Sequence, residues 1–356
     1  MMSLGTKWGN GQVNYYFQNT NDDQKRIMWS AMSYISNRTC IRFSENANAG
    51  QRLLIHATPG TGCSSAVGAP GSRATMQGQA ILGFGSCPFV GNAVHELSHS
   101  LGSLHEHNRP DRDDFLTVDQ AEVKRTGQQT NMNTQPWAMV KMYTPFEYGS
   151  VMMYDVYKYS DEKKIMTPKD PKYERTMGNR RVGFYDIQKI NKYYNCQCAK
   201  ELACDNGGYT NPADCSRCVC PSGFYGKLCN ERPCKDSYEL AADSKWQSKS
   251  IQFSFVNSSD TFAYFHSAFA YINAPDGKTV EIELEQLDNL TCMYGCNVNG
   301  VEIKTKEDRK SVSPIICCQD QTFAAETFKS TNNPTIIEMF SKTPNTATVG
   351  FRYRYV

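Results

Sequence analysis

Apolar residues recur at helical spacing in three stretches of the chain. Asp22 to Ser36 has an apolar face, and Thr20 or Asn21 stands where a helix needs a cap. Tyr185 to Tyr194 shows the same period, and Ala93 to Leu101 predicts a further helix. These patterns predict helices that bury one face.

Other stretches alternate or run apolar, as strands do. Arg52–His56 and Gln79–Phe84 predict strands in the first half of the chain. Near the end, Thr279–Glu285 and Gly350–Tyr355 alternate apolar and polar residues, which predicts half-buried strands of an antiparallel sandwich. The chain thus begins as a mixed α+β fold and ends as an all-β fold.

The cysteines divide the chain further. Six of the 15 cysteines lie between Cys198 and Cys229, a stretch too short to bury an adequate core without disulfides. A length of 356 residues suggests two or three domains. We therefore predict domains at 1–197, 198–230 and 234–356.

Charge and cysteine content indicate which partners and which compartment to expect for the protein. The net charge of +2 gives no reason to expect nucleic acid as a partner, and no apolar run reaches the roughly 18–20 residues of a membrane span. The cysteine density and the sequons at Asn37, Asn257 and Asn289 favour a secreted glycoprotein, although the first residues lack a signal sequence. The alternative is a cytosolic protein with reduced thiols.

Three histidines stand at a spacing that suits a metal ion. His95 and His99 would share one helix face, and Gly102 could end the helix and return the chain so that His105 becomes a third ligand. Three protein ligands leave one position open, which is typical of a catalytic zinc site. Glu96 lies beside them as a candidate general base. The alternatives are ordinary surface histidines or a structural zinc site.

Further residues carry a resemblance to a known family. The motif continues through His105-Glu106-His107-Asn108-Arg109-Pro110-Asp111-Arg112-Asp113, and Ser150-Val151-Met152-Met153-Tyr154 follows later. Together these motifs resemble the astacin family of zinc endopeptidases, within the metzincins. The resemblance implies that Met152 forms a turn below the metal and that Tyr154 stabilises the transition state after leaving the resting metal.

The resemblance extends beyond the zinc motif. It implies an α+β metzincin catalytic domain, an EGF-like module and a CUB sandwich, an order similar to that of the nematode astacins. It also implies an amino terminus buried near Glu106. The disulfides it implies are Cys40–Cys196, Cys63–Cys87, Cys198–Cys215, Cys204–Cys218 and Cys220–Cys229.

The chain also departs from the family pattern. Ser103-Leu104 replaces an aromatic pair and Met153 replaces a histidine, which we expect to alter packing and not activity. Ala268 stands where a partner for Cys234 is expected, so Cys234 should be unpaired. Cys292, Cys296, Cys317 and Cys318 should form two pairs whose connectivity stays open. The family's signal and propeptide are not seen, and no calcium site is predicted.

The resemblance also implies how a substrate binds. An extended peptide would add to an edge strand, placed here within Gln79–Gly85. Arg180 or Arg181 would line the pocket beyond the scissile bond and favour an acidic residue there, unless both are surface arginines. Extracellular matrix, cuticle collagen or a precursor protein would serve as substrate, and the CUB domain would bind protein. The competing hypotheses are a non-catalytic extracellular binding protein and a zinc hydrolase of non-peptide substrates.

Overall fold

A five-stranded sheet organises the amino-terminal part of the protein, residues 1–197. The fold comes from a computed structural model that describes residues 1–58, 61–71, 78–85, 87, 89–253, 265–319 and 327–356. The strands of this part, in chain order, are β1 (Met2–Ser3), β2 (Gln12–Gln18), β3 (Arg42–Glu45), β4 (Arg52–His56), β5 (Cys63–Ser65), β6 (Gln79–Phe84), β7 (Leu116–Val118), β8 (Val140–Lys141) and β9 (Met166–Pro168).

The main sheet has the order β3-β2-β4-β6-β5. Its first four strands are parallel, and β5 runs antiparallel to β6 through the pairs from Cys63–Phe84 to Ser65–Leu82. The prediction of an edge strand within Gln79–Gly85 is therefore wrong, because β6 is flanked by β4 and β5. Cys63–Ser65 is the outer strand on this side among the described residues.

The three predicted helices are present, and two short helices that the sequence pattern did not predict accompany them. They are α1 (Asp22–Ser36), α2 (Val90–Ser100), α3 (Gln120–Arg125), α4 (Gln129–Met132) and α5 (Phe184–Tyr194). Asn21 and Gln24 form a reciprocal capping box that starts α1. The apolar faces of α1 and α2 meet the sheet in one core that includes Met28, Leu82 and Leu97.

A second apolar cluster lies below the helix α2. It contains Leu116, Met153, Met166 and Tyr173, and the small sheet of β7 and β9 contributes to it. This cluster includes Met153 and Tyr154, which belong to the site described below. Two disulfides, Cys40–Cys196 and Cys63–Cys87, join distant points of the amino-terminal part.

The disulfide-rich segment, residues 198–230, has little regular structure. Its two short strands are β10 (Tyr209–Thr210) and β11 (Cys218–Val219). Three disulfides hold it together: Cys198–Cys215, Cys204–Cys218 and Cys220–Cys229.

The carboxy-terminal sandwich, residues 237–355, consists of two sheets around one apolar core. Its strands are β12 (Ser237–Ala241), β13 (Gln247–Phe253), β14 (His266–Asn273), β15 (Val280–Asp288), β16 (Asn299–Lys304), β17 (Ile315–Ile316), β18 (Phe328–Ser330), β19 (Thr335–Ser341) and β20 (Ala347–Tyr355). The sheet orders are β12-β14-β19-β16-β17 and β13-β20-β15-β18. Most pairs are antiparallel, whereas β12 and β14 are parallel.

The remaining cysteines lie in and before the sandwich. Cys292 pairs with Cys318 and Cys296 with Cys317, whereas Cys234 is exposed and unpaired. Ala268 is buried within β14. None of the helices among the described residues is long and apolar enough to cross a bilayer.

Candidate active site

The helix α2 and the turn after it bring three histidines together. His95 and His99 are one helical turn apart, and Gly102 has a φ of 99°, which a glycine adopts without strain. The amide of Gly102 donates to the carbonyl of His99, which closes the helix. The chain then reverses and His105 returns to the same point.

The ligand atoms of His95, His99 and His105 all lie within 4.8 Å of one another. His95 Nδ1 lies 2.7 Å from the carbonyl of Val151, and His99 Nδ1 lies 2.8 Å from that of Ser103. With the ring protons on Nδ1, those carbonyls accept them, and the Nε2 atoms of His95 and His99 carry lone pairs that can bind a metal. His99 Nε2 lies 3.0 Å from His105 Nε2. The two hydrogen bonds thus orient the rings of His95 and His99, and His105 brings a third nitrogen to the same point.

Burial keeps these imidazoles neutral. It lowers the pKa of His99 to about 4 and moves the pKa values of His95 and His105 well below their usual range. Neighbouring histidines and Arg180 add to the effect for His95 and His105. Neutral imidazole is the form that binds a metal.

Glu96 is buried beside the histidines. Its Oε2 atom has no hydrogen-bond partner among the described residues. Burial raises the pKa of this carboxyl to about 8, although Arg180 and Lys158 oppose the rise. A nearby dication would also favour the charged carboxylate. Because no described residue pairs with this buried carboxyl oxygen, it is available to a water molecule or another polar ligand at the histidines.

A tight turn supports the histidines from below. Met152 is fully buried, and its carbonyl accepts from the amide of Glu106 at 2.9 Å. Asp186 of α5 holds the turn, because its carboxylate accepts from Ser150 Oγ at 2.6 Å and from the amide of Val151 at 2.9 Å. Because the carbonyl of Val151 also accepts from His95, Asp186 of α5 is linked to this metal ligand through a single residue.

Tyr154 follows this turn and lies against the histidines. Its ring centroid is 4.3 Å from that of His105 and 4.3 Å from that of His107. Its hydroxyl lies 3.1 Å from the hydroxyl of Tyr159. Burial raises the pKa of Tyr154, so the phenol stays protonated. Sequence reasoning gave no role to His107, nor to Tyr159, which belongs to no spaced motif.

Glu106 anchors the amino terminus next to the site. The amino group of Met1 lies 3.4 Å from Glu106 Oε2, and Arg109 donates to Oε1 at 2.9 Å. Lys189 Nζ is 3.9 Å from Oε2. Burial alone would raise the pKa of Glu106, but the Met1 amino group, Lys189 and Arg109 together lower it to about 2. Burial in turn lowers the pKa of the Met1 amino group to about 5, so Lys189 and Arg109 are the lasting cations beside Glu106 at neutral pH.

The two candidate arginines of the substrate pocket face different surroundings. Arg180 donates to the carbonyl of Met153 at 3.4 Å and interacts electrostatically with Glu96. Arg181 instead forms ion pairs with Glu302 and Glu338 of the carboxy-terminal sandwich. Only Arg180 therefore stands next to the histidine cluster.

The sequons differ in their surroundings. Asn37 is exposed at the end of α1, and Asn289 is exposed after β15. Asn257 lies outside the described residues.

Comparison with known proteins decides the family. The family model described as Astacin, a peptidase family, matches residues 1–195. The chain belongs to the astacin family. Among similar proteins, zinc metalloproteinase nas-24 of Caenorhabditis elegans is 47% identical over 99% of this chain and 87% of its own length. Zinc metalloproteinase nas-19 of the same organism is 49% identical over the same shares.

Solved structures give a weaker likeness. High choriolytic enzyme 1, a hatching enzyme zinc-protease from the medaka Oryzias latipes, is 27% identical, with a TM-score of 0.44 over 54% of this chain and 94% of that one. Myroilysin is 19% identical, with a TM-score of 0.45 over 55% of this chain and 99% of that one.

This astacin is a zinc metalloproteinase, and zinc is its cofactor. The site fits the ion: three neutral imidazoles bring their ligand atoms within 4.8 Å of one another, and the neighbouring Glu96 has an oxygen without a partner in the described part of the chain. His95, His99 and His105 would hold the zinc.

Proposed function

We propose that this astacin is a secreted endopeptidase that hydrolyses peptide bonds in extracellular proteins, with Glu96 as general base and Tyr154 as transition-state donor. The observation that carries the proposal is the buried Glu96 oxygen without a partner among the described residues, next to three imidazoles that a metal can join.

When bound, zinc supplies a Lewis acid that polarises the scissile carbonyl and lowers the pKa of water in its coordination shell. Glu96 takes the proton of the attacking water and passes it to the leaving nitrogen. A carboxyl in apolar surroundings is a stronger base than one in water, because its charged form is poorly solvated. Arg180 and Lys158 limit this effect and keep the carboxylate accessible.

Tyr154 acts on the negative charge that develops on the oxygen of the substrate carbonyl. Its protonated phenol donates a hydrogen bond to the oxyanion that develops on the substrate carbonyl. The ring contacts with His105 and His107 limit the movement of the Tyr154 side chain and keep its phenol beside the histidines. The hydroxyl of Tyr159 offers the hydroxyl of Tyr154 an alternative hydrogen-bond partner.

The substrate would lie along β5 as an added strand, since Cys63–Ser65 is the outer strand of the described main sheet on this side. Arg180 would face the side chain after the scissile bond and select an acidic residue there. Cleavage-site mapping by mass spectrometry on a peptide library tests this selectivity, and Arg180→Met should remove it.

We also propose the domain boundaries 1–197, 198–230 and 234–356, with an EGF-like second domain and a CUB third domain. The three disulfides of the second domain and the two-sheet core of the third support this division. Seven disulfides and exposed sequon asparagines at positions 37 and 289 support secretion and glycosylation. Matrix proteins, including cuticle collagen, are candidate substrates, and the CUB domain is a candidate site for binding protein.

The decisive experiment compares Glu96→Gln with the parent on a denatured protein substrate. We expect cleavage to fall about 10²- to 10⁴-fold while one zinc per chain is retained. Glu45→Gln, at an exposed glutamate of β3, is the matched control and should cleave like the parent. A Glu96→Gln variant with full activity would contradict the mechanism. A parent that binds zinc but cleaves nothing would instead favour an extracellular binding protein.

A further inference from the structure

We propose that Glu302 and Glu338 of the carboxy-terminal sandwich are positioning residues for the peptidase site. They hold Arg181 and thereby fix residues 176–183, the segment that carries Arg180 and supports the turn at Met152. The inference rests on the proposed function, because it concerns the geometry of that same site.

Residues of the carboxy-terminal sandwich bind the side chain of Arg181. Its guanidinium donates to Glu302 Oε2 at 3.3 Å and to Glu338 Oε1, and it stacks 4.0 Å from the ring centroid of Phe340. All three partners belong to β16 and β19 of one sheet. Arg181 is 14% exposed and the two glutamates 2% and 1%. A largely enclosed arginine between two buried carboxylates is held in one place, because losing the arginine leaves their charges uncompensated.

Glu338 also joins the third part of the chain. Ser222 of the disulfide-rich segment donates to its Oε2 at 2.6 Å, and Ser267 of β14 donates to its Oε1 at 2.7 Å. Lys304 Nζ lies 3.6 Å from the same carboxylate. One side chain therefore contacts all three parts of the protein.

Hydrogen bonds then lead from Arg181 to the site. The amide of Arg181 donates to Asn179 Oδ1 at 2.9 Å, and Asn179 Nδ2 donates to the carbonyl of Gly149 at 3.0 Å. Gly149 immediately precedes the turn at Ser150–Tyr154. Arg180 donates to Met153 in that turn, and its carbonyl packs so closely on α2 that a Cβ at Gly91 would lie 1.9 Å from it.

A second contact supports the same segment. The amide of Ile315 donates to Thr176 Oγ1 at 2.8 Å, and the amide of Val312 donates to Glu147 Oε2 at 3.1 Å. A Cβ on Gly149 would meet the side chain of Val312 at 2.4 Å. The sandwich therefore touches both this segment and the start of the turn that the segment supports.

Apolar packing leaves part of this junction open. A cavity of about 660 Å³ opens there, and its lining includes Arg181, Glu302 and Glu338 but none of the three zinc ligands. Ion pairs and hydrogen bonds across this partly open space therefore contribute much of the restraint on residues 176–183. Single isosteric substitutions of the charged residues can test that contribution.

The test uses the full chain with Glu338→Gln and the double variant Glu302→Gln/Glu338→Gln. Glu281→Gln is the matched control, because Glu281 is a buried carboxylate of the same sandwich that pairs with Arg354 and Lys329 on the other sheet. Hydrogen exchange of the peptides that cover 147–154 and 176–183 is measured first. We expect exchange there to accelerate at least about tenfold in the double variant and to stay at the parent rate in Glu281→Gln.

Kinetics then separate positioning from folding. On a peptide with an acidic residue after the scissile bond, the double variant should lose about tenfold in kcat/KM, with zinc content unchanged. In an Arg181→Met background the same substitutions should have little further effect, because they act through that residue. Parent-like exchange and kinetics in the double variant would overturn the inference. The exchange readout needs no peptidase activity, so a failure of the proposed function is recognised separately.

Discussion

The hydroxyls of Tyr154 and Tyr159 lie 3.1 Å apart, with their rings edge to face at 5.6 Å between centroids. Lys158 Nζ lies near both rings, at 5.4 Å and 5.3 Å from their centroids. Tyr159 is 40% exposed and has a φ of 70°, an uncommon conformation for a tyrosine. The phenol that we assign to transition-state stabilisation thus has a defined partner away from the histidines.

Removing single hydroxyls should separate the roles of these tyrosines. Tyr154→Phe should lower kcat by about 10²-fold, because a donor to the developing oxyanion is lost. Tyr159→Phe should change kcat by only about fivefold, the equivalent of one hydrogen bond worth about 1 kcal/mol. Tyr271→Phe, which removes a bond to the carbonyl of Gly223 outside the peptidase site, is the control. Equal effects of the first two variants would refute the assignment.

Gly102→Ala should weaken both folding and zinc binding. A φ of 99° disfavours any side chain, and the added Cβ would lie 3.0 Å from the ring of Tyr193. The backbone strain alone costs about 1–2 kcal/mol of unfolding free energy. Since the turn also places His105, we expect a lower zinc affinity in a competition assay with a chelator.

Gly127→Ala is the control for this substitution. Gly127 has a φ of 68°, but a Cβ there meets nothing within 4 Å. It should lose stability through backbone strain and keep the parent's zinc affinity. Equal zinc affinities in the two variants would show that His105 does not depend on the turn.

Glu106→Gln should destabilise the protein by about 3–5 kcal/mol, because the buried side chains of Arg109 and Lys189 lose a shared carboxylate. Denaturant unfolding followed by tryptophan fluorescence measures this change. Asp113→Asn removes an ion pair with Arg112 at a residue that is 73% exposed, and it should cost less than about 1 kcal/mol. Similar losses in both variants would argue against the buried network.

The contribution of Glu338 to the free energy of unfolding should depend on pH and be lost in acid. Burial would raise its pKa, but Arg181, Lys304, Ser222 and Ser267 lower it from 4.5 to about 2. A depressed pKa stabilises the folded state above pH 4.5, and this stabilisation disappears as the pH falls from 4.5 towards 2. The difference in unfolding free energy between parent and Glu338→Gln should therefore be constant from about pH 7 to about pH 5. It should shrink by on the order of 3 kcal/mol at lower pH. A difference that stays constant down to about pH 3 would contradict this assignment.

Local patterns in the sequence predicted three of the five described α-helices but only four of the twenty described strands. The apolar face of Asp22–Ser36 and its cap at Asn21 are local, so the predicted bounds of α1 match the structure. The strand at Gln79–Phe84 was also predicted correctly, but its place in the sheet was not. Strand order depends on partners distant in the chain, and β5 is only three residues long, too short to show a period.

The same limit applies to the site. The spacing of His95, His99 and His105 on a helix and a turn is a local property, so the sequence predicts that they meet. Tyr154 and Tyr159 are only five positions apart, but they lie in an irregular segment without helix or strand, so no periodic spacing predicts their contact. The pairing of Arg181 with Glu302 and Glu338 joins residues that are 121 and 157 positions apart, and no local pattern indicates it.

The bond between Cys40 and Cys196 spans 156 positions and closes most of the amino-terminal part into a ring. In the chain-entropy view, such a closure disfavours the unfolded ensemble by about 5 kcal/mol. The lifetime of this protease would then follow the redox potential of its surroundings. A thiol-rich medium would convert a durable enzyme into a short-lived one without altering any residue at its zinc site.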